Sequence, residues 1–137
     1  MAWIKIIDEE QASGELKAQY EDVRQRRGHI SNVMKAHSLD PKAMRLHLDL
    51  YLHLMFGKST LTRAQREMIA VVVSQTNNCR YCVTHHGEAL LAHVHHQPLL
   101  ESLKRDFASA SITTKDKAML QYAAKLTRSP ESVSESY

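Results

Sequence analysis

Glycine and proline are scarce in this chain, four and three residues in 137. Together they make up about 5% of it, against a usual ~12%. That excludes collagen-like and Gly/Pro-rich disordered chains, and it argues against a turn-dense β-sandwich. Aromatic residues are few as well: two Phe, one Trp and five Tyr. No charge sign dominates, because eighteen Lys and Arg against fifteen Asp and Glu leave a net charge of only +3. The densest basic cluster, Arg24, Arg26 and Arg27, is broken by Gln25. It reads as a solvated helix face rather than a row of phosphate contacts, so no nucleic-acid partner is expected. Long apolar runs are missing too. The longest covers residues 68–73, far short of the roughly 20 that a spanning helix needs. Asp8, Glu9 and Glu10 follow so closely on the N-terminus that no signal-peptide core fits there. No membrane partner is expected, and the expected location is the cytoplasm. Cysteine is limited to two residues, which excludes a disulfide framework.

What is abundant is helix-forming: Ala, Leu, Lys, Arg, Glu and Gln. The expected fold class is all-α, with one domain over residues 1–130 and a polar, loose tail over 131–137. A first helix is expected over about 14–27, stopped by Gly28, and a short one over about 31–37. Asp40-Pro41 combines a capping residue with a proline suited to the first helical position. The helix it opens should reach Phe56 and stop at Gly57. It carries Met44, Leu48, Tyr51, Leu52 and Met55 on one stripe, as core packing requires. Thr62 with Gln65 three residues on resembles a capping box, opening a helix to about Thr76. The β-branched end of that segment could suit a strand, but its polar helical lead-in favours a buried helix. Asn77 and Asn78 interrupt the chain. Further helices are expected over about 79–95, 98–107 and 115–127.

Two features stand out. Cys79 and Cys82 are three residues apart, and five of the nine histidines lie between His85 and His96. On a helix advancing about 100° per residue, Cys79, Cys82 and His86 share one stripe. A short-loop disulfide can form at that spacing, and such a bond is more readily reduced than a structural staple. Backbone N–H groups at a helix start favour a thiolate, which on position alone favours Cys79. A nearby imidazole can take the thiol proton. Zinc is the competing chemistry, with Cys79, Cys82, His86 and one of His85, His93, His95 or His96 as ligands. The second ligand pair lacks the separated spacing of common zinc motifs. His93, His95 and His96 otherwise read as surface residues near a helix end. No cofactor is expected.

Glu67, followed by Asn77-Asn78-Cys79-Arg80-Tyr81-Cys82-Val83-Thr84-His85-His86, resembles the alkylhydroperoxidase D-like branch of the carboxymuconolactone decarboxylase superfamily. The pattern of that branch is a Glu twelve residues before the first Cys, then Cys-x-x-Cys, then a His four after the second; Glu67, Cys79, Cys82 and His86 meet every spacing. The N-terminal stretch, with Asn32 and Val33, resembles the peroxidase-related subgroup. The likeness extends from about Ile6 to Pro130. It departs at Tyr81, where some members carry a relay His. It departs again after Ser129-Pro130-Glu131-Ser132, where members usually continue with further helices, so a C-terminally shortened domain is the expectation.

The resemblance implies a helical bundle and a thiol hydroperoxidase. Cys82 would attack the hydroperoxide and Cys79 would resolve the product to a disulfide. His86 would act as base and Glu67 would orient it. The partners implied are a hydroperoxide substrate, an external dithiol reductant such as a lipoyl-bearing protein, and further copies of the chain, as dimers that build trimers of dimers. A redox-sensing or zinc-binding assembly protein without turnover is the alternative. The decarboxylase chemistry of relatives lacking the cysteine pair ranks last, because Cys79 and Cys82 argue against it.

Overall fold

A computed structural model of the chain describes residues 3–135. Seven α-helices run through those residues, with no strand among them: α1 Gly14–Arg27, α2 Asn32–Lys35, α3 Pro41–Phe56, α4 Arg63–Thr76, α5 Arg80–Val94, α6 Gln97–Asp106 and α7 Thr114–Arg128. The all-α expectation holds. The chain divides after Lys58 into two compact units, the first carrying α1–α3 and the second α4–α7.

In the first unit, helix boundaries fall where local chemistry puts them. Gly28 ends α1 in the left-handed region, at φ 80°, which glycine enters without a Cβ penalty. Ser31 caps α2 by accepting from the Met34 N–H, and Asp40 caps α3 by accepting from the Ala43 N–H at 3.0 Å, with Pro41 at the first helical position. The core is Leu16, Tyr20, Val23, Met34, Met44 and Leu48. Of the stripe expected on α3, Met44 and Leu48 are fully inside, while Tyr51, Leu52 and Met55 are half-buried. The N-terminal lead is pinned across the core. The Tyr20 hydroxyl donates to the Ile7 carbonyl at 2.7 Å, and the Ile7 N–H donates to the buried Ser38 hydroxyl at 2.9 Å. The arginine cluster at the end of α1 is engaged within the unit: Arg24 pairs with Glu9, Arg26 bridges Asp22 and Asp49, and Arg27 lies 4.8 Å from the centre of the Tyr51 ring.

In the second unit, α4 opens with a complete capping box. The Gln65 N–H donates to the Thr62 hydroxyl at 3.1 Å, and the Thr62 N–H donates to the Gln65 amide oxygen at 2.9 Å. The apolar stretch 68–73 is helical, with Met68, Val71 and Val72 buried. They pack with Leu90, Leu100, Leu103, Ala110, Leu120 and Ala124. Helices α5 and α6 approach closely at Gly87, where a Cβ would sit 3.2 Å from the Leu100 methyls. A short 3-10 turn, Phe107–Ser109, follows α6 directly, so the expected helix end at Phe107 is one residue long. The start of the expected loose tail forms a 3-10 turn at Pro130–Ser132; Ser136 and Tyr137 lie outside the described residues.

Candidate active site

The α4–α5 connection delivers the cysteine pair. Helix α4 ends at Thr76, and three hydrogen bonds close the turn: Asn77 N–H to Val73 O, Asn78 N–H to Gln75 O, and Cys79 N–H to Ser74 O at 2.9 Å. Asn78 takes a left-handed conformation, at φ 54°, which an asparagine tolerates better than most residues. The chain reverses there, and Cys79 becomes the capping residue of α5 rather than its first helical residue. Its sulfur accepts the Cys82 N–H at 3.3 Å, the place an oxygen takes in an ordinary cap. Cys79 and Cys82 are joined as a disulfide, with their Cα atoms 5.4 Å apart. Both cysteines are half-buried.

Behind the pair, α4 presents Glu67 to α5. Its carboxylate is completely buried, at 0% exposure. One oxygen meets the His86 Nδ1 at 2.7 Å, and the other pairs with the Arg63 guanidinium one turn earlier on α4. In a neutral imidazole this contact calls for the proton on Nδ1, the tautomer in which Nε2 is the acceptor. His86 stands one helical turn past Cys82 on the same face of α5 and is about a quarter exposed, at 27%. The expected four-residue set is therefore brought together in part by direct contact, Cys79 with Cys82 and Glu67 with His86, and in part by helix register, Cys82 with His86. Glu67 is thus no exposed helix charge but a buried carboxylate, and the half-buried Arg63 one turn earlier is its ionic partner.

The zinc set weighed from sequence is not assembled. His93 lies eleven residues beyond Cys82 on α5, about 16 Å along the axis. His95 closes α5 in a left-handed conformation, and the His96 Nδ1 caps α6 by accepting the Leu99 N–H at 3.2 Å. His85 turns away from His86 and lies edge-on to Tyr81, ring centres 4.2 Å apart. No group of three or more metal-ligating side chains converges among the described residues. Nor is any helix among them long and apolar enough to cross a membrane.

Comparison with known proteins places the chain in a family. The sequence model of the carboxymuconolactone decarboxylase family matches residues 41–94, from α3 through α5. An uncharacterised peroxidase-related protein from Silicibacter sp. TM1040 is 32% identical, with a TM-score of 0.81 over 99% of this chain and 74% of its own. An alkylhydroperoxidase AhpD core protein from Ralstonia eutropha JMP134, also peroxidase-related and uncharacterised, is 25% identical, with a TM-score of 0.82 over 97% of this chain and 70% of its own. The AhpD core of Rhodospirillum rubrum shares the fold at 24% identity, with a TM-score of 0.59 over 96% of this chain and 87% of its own. No curated protein matches the sequence. The fold is thus the all-α core of the alkylhydroperoxidase D type. The chain belongs to the carboxymuconolactone decarboxylase superfamily, in its alkylhydroperoxidase D-like, peroxidase-related branch.

Proposed function

We propose that the chain is a thiol-dependent hydroperoxidase that cycles between a Cys79–Cys82 dithiol and the corresponding disulfide. The observation that carries this reading is a cysteine pair bonded at the start of a helix, one turn from a histidine held by a fully buried carboxylate. Glu67 fixes the His86 tautomer, and the free Nε2 takes the Cys82 thiol proton. The Cys82 thiolate attacks the terminal oxygen of a hydroperoxide. An S–O bond forms, the O–O bond breaks, and the alkoxide leaves as an alcohol with a proton supplied by the His86 imidazolium. Cys82 is now a sulfenic acid. The Cys79 sulfur then attacks the Cys82 sulfur; the S–S bond forms, the S–O bond breaks and water departs. The Cys82 N–H directed at the Cys79 sulfur favours negative charge there, which suits the resolving step.

An external dithiol returns two electrons by thiol–disulfide exchange and leaves as its own disulfide. A lipoyl-bearing protein is the partner of that chemistry, and the reducing cytosol is the compartment that sustains it. The same proposal includes self-association. The α3 leucines Leu46, Leu50 and Leu54, each 56–58% exposed, and a separate apolar groove of about 820 Å³ lined by Ile69, Val73, Met119, Tyr122 and Leu126 are surfaces that an assembly would cover.

Thiol counting by mass spectrometry tests the cycle. One equivalent of an organic hydroperoxide should convert both thiols to the Cys79–Cys82 disulfide, and dihydrolipoamide should restore them. Thiols that survive the hydroperoxide unmodified would end the peroxidase reading.

A further inference from the structure

We propose that Arg63 is a positioning residue that sets the charge of the Glu67–His86 couple, keeping His86 a neutral base, a role whose chemical use rests on the hydroperoxidase reading above. The starting point is a carboxylate with 0% exposure and two partners, Arg63 on one oxygen and His86 on the other. A buried charge persists only when it is compensated. Arginine does not lose its proton in proteins. Arg63 and Glu67 therefore already sum to zero, and a neutral His86 is the uncompensated-charge-free arrangement. A second proton on the ring would leave a net positive charge in a largely buried site. Without Arg63 the balance reverses. Glu67 would then be neutralised by His86 itself, as an imidazolium, and the Nε2 lone pair would be consumed before any thiol arrives.

The proton inventory of the thiol step follows. With Arg63 in place, the Cys82 proton passes to Nε2 of His86, leaving thiolate, imidazolium, carboxylate and guanidinium, which again sum to zero. Without Arg63, the ring already carries that proton. The thiol proton must go to solvent, and the site acquires a net negative charge. The arrangement is set by helix register, because Arg63 lies one turn before Glu67 on α4. The neighbouring Arg66 is directed elsewhere, donating through Nε and Nη2 to the Leu61 carbonyl at 3.2 and 3.1 Å. On α5 the other titratable residues near His86 in sequence, Arg80, Tyr81, His85 and Glu88, are all exposed.

The test reads the ring nitrogens of His86 by nitrogen-15 NMR in the oxidised protein at neutral pH, where no thiol can supply a proton. The wild-type ring should show one protonated nitrogen, Nδ1. Arg63→Met should show two. Arg63→Met/Glu67→Gln should return to one, because the charge that called for the second proton is gone, and Arg63→Lys should match the wild type. A merely structural role for Arg63 does not produce that reversal. In the reduced protein, alkylation of Cys82 by iodoacetamide at neutral pH should slow about tenfold or more in Arg63→Met, the scale of losing one charge partner at short range. Arg63→Gln replaces Arg63→Met if circular dichroism shows the latter unfolded. A doubly protonated wild-type ring, or a singly protonated ring in a folded Arg63→Met or Arg63→Gln protein, overturns the assignment. If the ring pattern appears as expected while wild-type protein fails to consume hydroperoxide, the charge assignment stands and the hydroperoxidase reading alone falls.

Discussion

The two units use charge in opposite ways. In the first, ionic groups sit at the surface: Arg24 with Glu9, Arg26 with Asp22 and Asp49, Lys35 with Asp8 and Glu9. Each partner keeps part of its hydration, so each pair contributes little and is replaceable. In the second, one carboxylate is taken fully inside and held between a guanidinium and an imidazole. Desolvation there makes the set costly to break and sensitive to which member is missing. Surface pairs thus add little to the first unit, whereas the interior set makes the second sensitive to any change in its members.

The largest expected effect sharpens that contrast. Glu67→Ala should lower the unfolding free energy by about 3–5 kcal/mol, because it removes a fully buried carboxylate that pairs with both Arg63 and His86. Urea titration measures this, and Arg63→Met/Glu67→Leu should recover most of the loss. A cost below about 1 kcal/mol for Glu67→Ala would place Glu67 in the same category as the surface pairs.

An intermediate effect appears at the pH limbs. The Gln65 amide, followed by the Thr113 hydroxyl, holds the Asp116 carboxyl below the usual carboxylate range. Its stabilising contribution is therefore complete above that usual range and is lost as pH falls through the depressed folded value. Asp116→Asn should flatten the acid limb of a stability-versus-pH curve for α4–α7. The hydrogen bond from Lys35 to Asp8, with a second to Glu9, raises the lysine above its ordinary value. Its contribution is complete below that ordinary value and is lost as pH rises through the folded one, so Lys35→Met should flatten the alkaline limb instead. Thermal melts across pH would show the two variants acting at opposite ends, and acting at the same end would contradict both assignments.

The smallest effect belongs to Arg24, whose side chain is 61% exposed beside Glu9. Arg24→Ala should cost less than about 1 kcal/mol and less still in high salt. A larger, salt-insensitive loss in denaturant titration would mean that the surface pairs resemble the interior set after all.

Most of the fold was legible because helix ends are local chemistry. Gly28, Asp40-Pro41 and Thr62 with Gln65 each act within four residues of themselves, and each marks a boundary in the structure. The closeness of Cys79 and Cys82 was legible for the same reason, since a cap and the third residue of its helix are local neighbours. The spacing of Glu67 pointed to a role, but its burial and the pairing with Arg63 were not read. The signal was present on α4: Glu67, Val71 and Ser74 lie at i, i+4 and i+7, and all three are buried. The i+4 valine marks that face as inward, whereas an arginine at i−4 by itself suits an outward one. The approach of Glu67 to His86 crosses between two helices, and no single-helix periodicity encodes it. The left-handed Asn78, which moves Cys79 out of the helix and into the cap, was visible only as a pair of asparagines.

Gln65 joins the starts of two helices. Its amide oxygen accepts the Thr62 N–H at 2.9 Å, while its amide nitrogen donates to the Asp116 carboxylate at 2.7 Å, fifty-one residues away. A backbone N–H can only donate and an ionised carboxylate can only accept, so the amide has a single orientation that serves both. It behaves as a coincidence gate: both bonds form only when α4 has its first turn and α7 has arrived with its own. Loss of either helix start should loosen the other, and the Thr62 and Asp116 amides should exchange with solvent in step rather than independently.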